Sequence, residues 1–171
     1  ISPDKKIKDN EISKIFFLKI VPKHSFIFFH CLIKFINYQI KMITEILSGL
    51  YIGTNEDLFD KTIYDRYQIK LILNCSVTDL FPDVPKVEKI RLPLQSMETL
   101  KLNQTQILTF IQNNLLTKPM ILSSDEDYNL IICCLFLIRY GKVSVVDIKD
   151  IIKMKNHTLS IDRDLRYFLD N

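Results

Sequence analysis

Apolar positions along residues 42–171 follow two spacings in turn, and these predict strands and helices that alternate. The run IKLILNC (69–75) is short and rich in branched side chains, as in a strand buried on both faces. The segment 128–140 is apolar nearly all round and predicts a central buried helix. The predicted strands are 43–47, 50–54, 69–75, 87–92 and 119–122, and the predicted helices are 55–67, one opening at Asn103, 128–140, 145–155 and 161–169.

Because strands and helices alternate, we expect an α/β fold with a short central mixed sheet and helices on both faces. Capping residues support several of the helix starts. Thr54 and Ser160 are predicted N-caps, and Ser144 with Asp147 resembles a capping box. Gly141 is a good helix stop after the central helix.

The charge of the chain is unevenly divided. Residues 1–41 contain eight lysines and three acidic residues, a net charge of +5, whereas residues 42–171 contain 15 basic and 17 acidic residues, a net charge of −2. A nucleic-acid interface needs clustered Lys and Arg on one face, so we expect no nucleic-acid partner. At 171 residues, of which 47% are hydrophobic, the chain fits one ordinary domain, or a smaller domain with a tail.

Residues 1–41 differ from the rest of the chain, because they lack caps, turns and periodicity. Lysines and Pro22 interrupt their apolar residues, so we expect no transmembrane segment. Two interpretations stay open: a poorly ordered or loosely docked extension, or upstream sequence that is not native, with Met42 as the initiator. In either case the predicted domain is 42–171.

The order of these elements resembles the dual-specificity phosphatase domain of the cysteine-dependent protein tyrosine phosphatases. The resemblance is carried by GLYIGTNEDL (49–58), IKLILNCS (69–76), IRLPL (90–94), KPMIL (118–122) and LIRYGKVSVVDIKDII (137–152). It implies a dual-specificity-phosphatase-like fold over nearly all of 42–171. It also implies that IRLPL leads to a loop with the general acid, and that KPMIL leads to a phosphate-binding loop with the signature His-Cys-x5-Arg.

The residues that this chemistry requires are missing from the matching positions. The family uses a Cys thiolate as nucleophile, an Arg that grips the phosphate and an Asp that protonates the leaving oxygen. Counting from the strand, Ser124 matches the nucleophile and Leu130 the arginine, whereas counting back from the helix gives Leu122 and Tyr128. The general-acid position falls near Ser96. We therefore expect no intact catalytic residue.

The four cysteines offer no replacement. Cys133 and Arg139 satisfy the spacing Cys-x5-Arg, but the five residues between them are Cys, Leu, Phe, Leu and Ile on a predicted core helix. Adjacent cysteines in an apolar run (Cys133 and Cys134) are typical of reduced, buried thiols. They favour an intracellular, cytoplasmic protein, with the nucleus left open.

Acidic residues stand where the phosphate would bind. The neutral loop is replaced by Asp125, Glu126 and Asp127. The electrostatic repulsion between one carboxylate and a dianion about 5 Å away is about 2 kcal/mol in water-like surroundings and about 7 kcal/mol at an effective dielectric of about 20. Phosphate binding is therefore not expected. The cluster is interpreted either as a solvated loop that favours the helix dipole, or, together with Tyr128, as a binding patch for a basic docking segment of a partner. No metal site and no cofactor are expected.

The sequence thus favours a pseudophosphatase, a catalytically inactive dual-specificity-phosphatase-like protein. The resemblance implies a binding or scaffold module for a protein partner such as a phosphoprotein or a kinase. The alternatives are a divergent but active phosphatase that removes phosphate from protein tyrosine, serine or threonine, and a drifting gene product without a retained binding role. The oligomeric state is left open.

Overall fold

The computed structural model describes residues 43–78, 80–124 and 126–169. The interpretations of residues 1–41 lie outside these described residues and stay predictions. No helix in the described ranges has the length and apolar character that a membrane span requires. The strands are β1 (Thr44–Leu47), β2 (Leu50–Gly53), β3 (Leu71–Asn74), β4 (Glu88–Arg91) and β5 (Met120–Ser123), and the helices are α1 (Thr62–Arg66), α2 (Met97–Leu115), α3 (Tyr128–Arg139) and α4 (Ile148–Lys155), with 3-10 helices at Asp57–Phe59 and Leu165–Phe168.

The five strands form one mixed sheet in the order β1-β2-β5-β3-β4. β1 runs antiparallel to β2 across a tight turn, and the other three pairs are parallel. In the parallel part, the last residues of the strands are in register: Gly53, Ser123, Asn74 and Arg91 stand side by side. The carboxyl ends of four strands therefore meet at one edge, where ligands of open α/β sheets bind.

One face of the sheet is covered by α2, α3 and α4. Alternate strand residues such as Leu71, Leu73 and Leu122 point to this side and pack with the helices in a single apolar cluster. Every residue of α3 from Tyr128 to Phe136 is buried. This agrees with the prediction of a central helix, because only a helix enclosed on all sides tolerates apolar residues all round.

The opposite face carries a smaller cluster, with Ile72 and Ile121 from the sheet under Ile63 and Tyr64 of α1. The continuous helix predicted over 55–67 was wrong. A 3-10 turn and the five-residue α1 replace it, because the chain is extended at Asp60, whose Oδ1 accepts from the backbone N–H of Thr62 at 3.0 Å. Aspartate that bonds to nearby backbone competes with helix formation in this way.

Two further helix starts differ from the prediction. α2 begins at Met97, not at Asn103, because Ser96 is its N-cap and accepts from the Thr99 N–H at 3.1 Å. The helix expected over 161–169 is only the 3-10 helix Leu165–Phe168, which Asp164 caps, and Ser160 instead donates to Asp162.

The capping box predicted before α4 is present only in part, and α4 begins at Ile148 rather than at 145. Ser144 Oγ accepts from the Asp147 N–H at 3.1 Å and donates to Asp147 Oδ2 at 2.7 Å, but the N-cap of α4 is Asp147, not Ser144. In a complete capping box the acid would accept from the backbone N–H of the N-cap residue.

Candidate functional site

The loop between β5 and α3 leaves the sheet at the shared carboxyl edge. β5 ends at Ser123 and α3 begins at Tyr128, so residues 124–127 make the whole connection. Five residues separate Ser124 from Leu130, and the last two of them already belong to the helix.

Ser124, the predicted nucleophile position, lies directly after β5 and is 5% exposed. Its backbone N–H donates to the Gly53 carbonyl at 3.4 Å, which continues the pairing of β5 with β2. Its Oγ accepts from the backbone N–H of Glu126 at 3.2 Å. The serine side chain thus closes the turn, because its Oγ is hydrogen-bonded to the backbone N–H of Glu126.

The other predicted catalytic positions serve local structure. Leu130 is the third residue of α3 and is buried in the large apolar cluster. Ser96 is exposed and its Oγ binds Thr99 at the start of α2. Counting from the helix instead places Leu122 inside β5 and Tyr128 as the first residue of α3. Leu122 is fully buried and Tyr128 is 6% exposed.

The acidic residues differ in their surroundings. Asp125 lies outside the described residues. Glu126 is exposed, and Asp127 precedes α3 without a side-chain capping bond. Asp127 Oδ2 instead accepts from Arg163 Nε at 3.1 Å in a partly exposed ion pair. Burial, and after it the Glu126 carboxylate, raises the pKa of Tyr128.

Arg163 is a cation that the sequence analysis missed. It lies 36 residues from Asp127 along the chain, and no spacing within the loop signals it. The fold brings one guanidinium to the acidic loop, where it neutralises one of the two described carboxylates. Glu126, Asp127 and Arg163 together leave one net negative charge.

Asn129 is a second residue that the sequence analysis missed. Its Nδ2 donates to the Gly53 carbonyl at 2.8 Å and to the Leu122 carbonyl at 3.4 Å, and its Oδ1 accepts from the Leu130 N–H at 2.8 Å. This side chain ties the first turn of α3 to β2 and β5. A polar residue at the start of an otherwise apolar helix is the one signal that could have indicated it.

Two polar groups at the same edge are buried without partners among the described residues. Asn74 Nδ2 and Ser123 Oγ make no hydrogen bond, and both residues are fully buried. They are register partners on neighbouring strands and therefore point to the same face. Asn74 uses its Oδ1 to accept from the backbone and hydroxyl of Ser76.

The described cysteines are free and buried, as the sequence predicted. Burial raises the pKa of the Cys75 and Cys134 thiols to about 12 and raises that of Cys133 well above its ordinary value. Arg139 ends α3 and donates to Thr105 Oγ1 at 3.1 Å. The Cys-x5-Arg pair in α3 therefore consists of a core thiol and a surface guanidinium on one continuous helix. Within the described ranges, no three His, Cys, Asp or Glu side chains are grouped to hold a metal ion.

No protein-family model matches the chain, and no curated protein matches it in sequence. Solved structures match it in fold, and they include dual-specificity phosphatase domains. Because the identities are below 25%, the likeness shows the fold alone. The predicted fold class, a mixed α/β sheet with the arrangement of a dual-specificity phosphatase, is confirmed.

Three of these structures illustrate the likeness. Human DUSP28 has a TM-score of 0.64 at 15% identity and matches 74% of this chain and 89% of its own. DUSP15 has a TM-score of 0.64 at 20% identity over 74% of this chain and 84% of its own. The human tyrosine phosphatase-like serine/threonine/tyrosine-interacting protein has a TM-score of 0.63 at 11% identity over 75% of this chain and 93% of its own.

Proposed function

We propose that this chain is a pseudophosphatase that binds a protein partner through the loop between β5 and α3. One observation carries the proposal. The residue that follows β5 is a buried serine, Ser124, whose oxygen accepts from the Glu126 N–H, and residues 124–127 contain neither cysteine nor arginine. Attack on phosphorus needs an activated nucleophile, and the described bond of the Ser124 hydroxyl is to a backbone N–H, which does not activate it.

The thiols support loss of catalysis. A phosphatase cysteine reacts as thiolate, and low pKa values require a cation or a helix N-terminus next to the sulfur. Cys133 and Cys134 instead lie in the body of α3, where burial raises both pKa values. At neutral pH these thiols are protonated and shielded from a phosphoprotein.

The charge of the loop supports binding of a cation rather than an anion. Arg163, the guanidinium that reaches the loop, is already paired with Asp127. Glu126 leaves the described part of the loop with net negative charge. An incoming phosphate dianion would meet this charge, whereas a lysine or arginine of a partner would be attracted to it.

A protein partner is the natural source of such a cation. We propose a phosphoprotein or a kinase that presents a basic docking segment to Glu126, Asp127 and the small exposed part of Tyr128. The proposed patch also includes Asp125, which lies outside the described residues. One of the proteins with this fold carries a name that describes it as phosphatase-like and as interacting with serine, threonine and tyrosine. That name is compatible with a binding role on this fold.

Turnover distinguishes this proposal from a divergent active phosphatase. The purified full chain is assayed with p-nitrophenyl phosphate and with a phosphotyrosine peptide, beside a Cys133→Ala variant. We expect equal, background rates for both proteins. Turnover in the full chain that disappears in Cys133→Ala would support the active alternative.

Charge reversal tests the binding patch. Partners recovered with the full chain are compared with those recovered with a Glu126→Lys/Asp127→Lys variant, and Asp150→Lys, an exposed acid on α4, is the matched control. We expect a specific partner to be lost from the double variant and retained by the control. A partner that both variants retain would remove the loop from the contact.

A further inference from the structure

The outer edge of the sheet at β4 has main-chain groups that point away from the sheet. β4 ends the strand order, with β3 as its neighbour. The Glu88 N–H donates to the Lys70 carbonyl at 2.9 Å, on the β3 side. The Leu92 N–H donates to the Asn74 carbonyl at 2.7 Å, on the same side. Because main-chain groups alternate along a strand, the N–H and C=O of Lys89 face outward.

A groove follows this edge between β4 and α2, with a cavity volume of about 380 Å³. Its sheet side is formed by Ile90 and Leu92 and its helix side by Ile107 and Phe110. Polar side chains of α2 form the outer rim, with Asn103 and Gln106 among them. The groove is thus lined by apolar side chains of the sheet and of α2, with polar side chains of α2 beside them.

The other face of β4 is cationic. Lys89 and Arg91 alternate with Ile90 and therefore point away from the groove. The Arg91 guanidinium lies 4.9 Å from the centre of the Phe81 ring, on the side of the smaller apolar cluster. Lys86, just before the strand, is exposed. β4 therefore presents Ile90, followed by Leu92, on the groove face, where the exposed Glu88 pairs with Lys118, and it presents positive charge on the other face.

We propose that β4 accepts an extended segment of a protein partner in which apolar and acidic residues alternate. The backbone of the segment pairs with the outward main-chain groups at Lys89, as in recognition by strand addition. Its apolar side chains enter the groove beside Ile90 and Leu92. Its acidic side chains, on the opposite face, lie next to Lys89, where opposite charges across strands are favourable.

A second copy of this chain fits the edge less well. If two β4 strands paired antiparallel through their outward groups, Lys89 would stand opposite Lys89 or Arg91 of the other copy. Like charges directly opposite each other destabilise strand pairing. Charged edge strands of this kind discourage self-association. The charge pattern thus favours an acidic partner over a homodimer.

This inference goes beyond the proposed function, because it concerns a different surface and does not depend on loss of catalysis. The groove is lined by none of the residues of the acidic loop. Binding at β4 and binding at the loop can therefore fail independently.

A peptide selection tests the proposal. The full chain is used to select from a displayed library of random dodecapeptides, and enriched peptides are synthesised and measured by fluorescence anisotropy. We expect enrichment of alternating apolar and acidic residues.

Lys89→Glu should weaken binding about tenfold, since it places like charges together, and Lys89→Gln should weaken it less. A peptide whose acidic residues are changed to lysine should regain affinity for Lys89→Glu.

Controls separate this surface from others. Lys153→Glu, on an exposed part of α4, and Glu126→Lys/Asp127→Lys should leave peptide affinity unchanged, and thermal unfolding should show each variant folded. Absence of enrichment, enrichment of another pattern, or peptides indifferent to Lys89→Glu would overturn the proposal. A dimer in sedimentation that Lys89→Glu dissociates would assign the edge to a second copy instead.

Discussion

The body of α3 and the loop at its N-terminus differ in what holds them in place. The body is enclosed by α2, α4 and the sheet, and its contacts are apolar on every side. The N-terminal end is held by polar contacts, namely the bonds of Asn129 to two strands and the ion pair of Asp127 with Arg163. We infer that the body maintains the fold, so the side chains of the loop can change without loss of the domain.

The largest expected effect is in the body. Ile132→Ala removes a fully buried side chain and leaves a cavity, so the free energy of unfolding should fall by about 2–5 kcal/mol. Urea unfolding measures it. Leu116→Ala, at a residue 91% exposed, is the control and should change stability by less than about 0.5 kcal/mol. Equal effects of the two changes would contradict the role assigned to the body of α3.

A smaller loss is expected at the N-terminal end. Asn129→Ala removes the donor to the Gly53 carbonyl and should lower the free energy of unfolding by about 1–3 kcal/mol. Hydrogen exchange should also speed up at the start of α3 before it changes in the body. Asn113→Ala, on an exposed part of α2, is the control. A loss as large as that of Ile132→Ala would mean that the end supports the fold as much as the body does.

The comparison also explains which features the sequence could predict. The body of α3 was predicted almost to the residue, because a helix that is apolar on all sides must be buried. Ser96, interpreted as the position of a lost acid, is also the N-cap of α2, whose early start was concealed by the weak periodicity before Asn103. Arg163 and the partner of Asn129 could not be predicted, because they depend on contacts 36 and 76 residues apart along the chain.

The buried thiols of Cys75, directly after β3, and Cys134, in the body of α3, should respond to alkaline pH. Cys75 and Cys134 have folded pKa values of about 12 against 9.0 for an ordinary thiol, so the unfolded chain ionises first. Their contribution to stability is complete below about pH 9 and is lost as pH rises toward 12. Iodoacetamide, with mass mapping of peptides, should leave both unmodified in the native chain at pH 8. Rapid modification of Cys134 under native conditions would contradict its burial.

The smallest expected effect is a gain. Ser123→Ala removes a buried hydroxyl that has no hydrogen-bond partner among the described residues, so stability should rise by up to about 1 kcal/mol. Thr109→Ala, at an exposed position of α2, is the control. A loss of stability in Ser123→Ala would indicate that the hydroxyl has a bonding partner.

Titration with an oxyanion tests the central claim most directly. For the full chain, we predict no rise in the unfolding temperature with sodium tungstate up to millimolar concentration, because a ligand stabilises a protein only by binding its native state. A saturable rise that Asp127→Lys strengthens and Ser124→Tyr abolishes would place an anion at the N-terminus of α3 and contradict the proposed loss of the phosphate site.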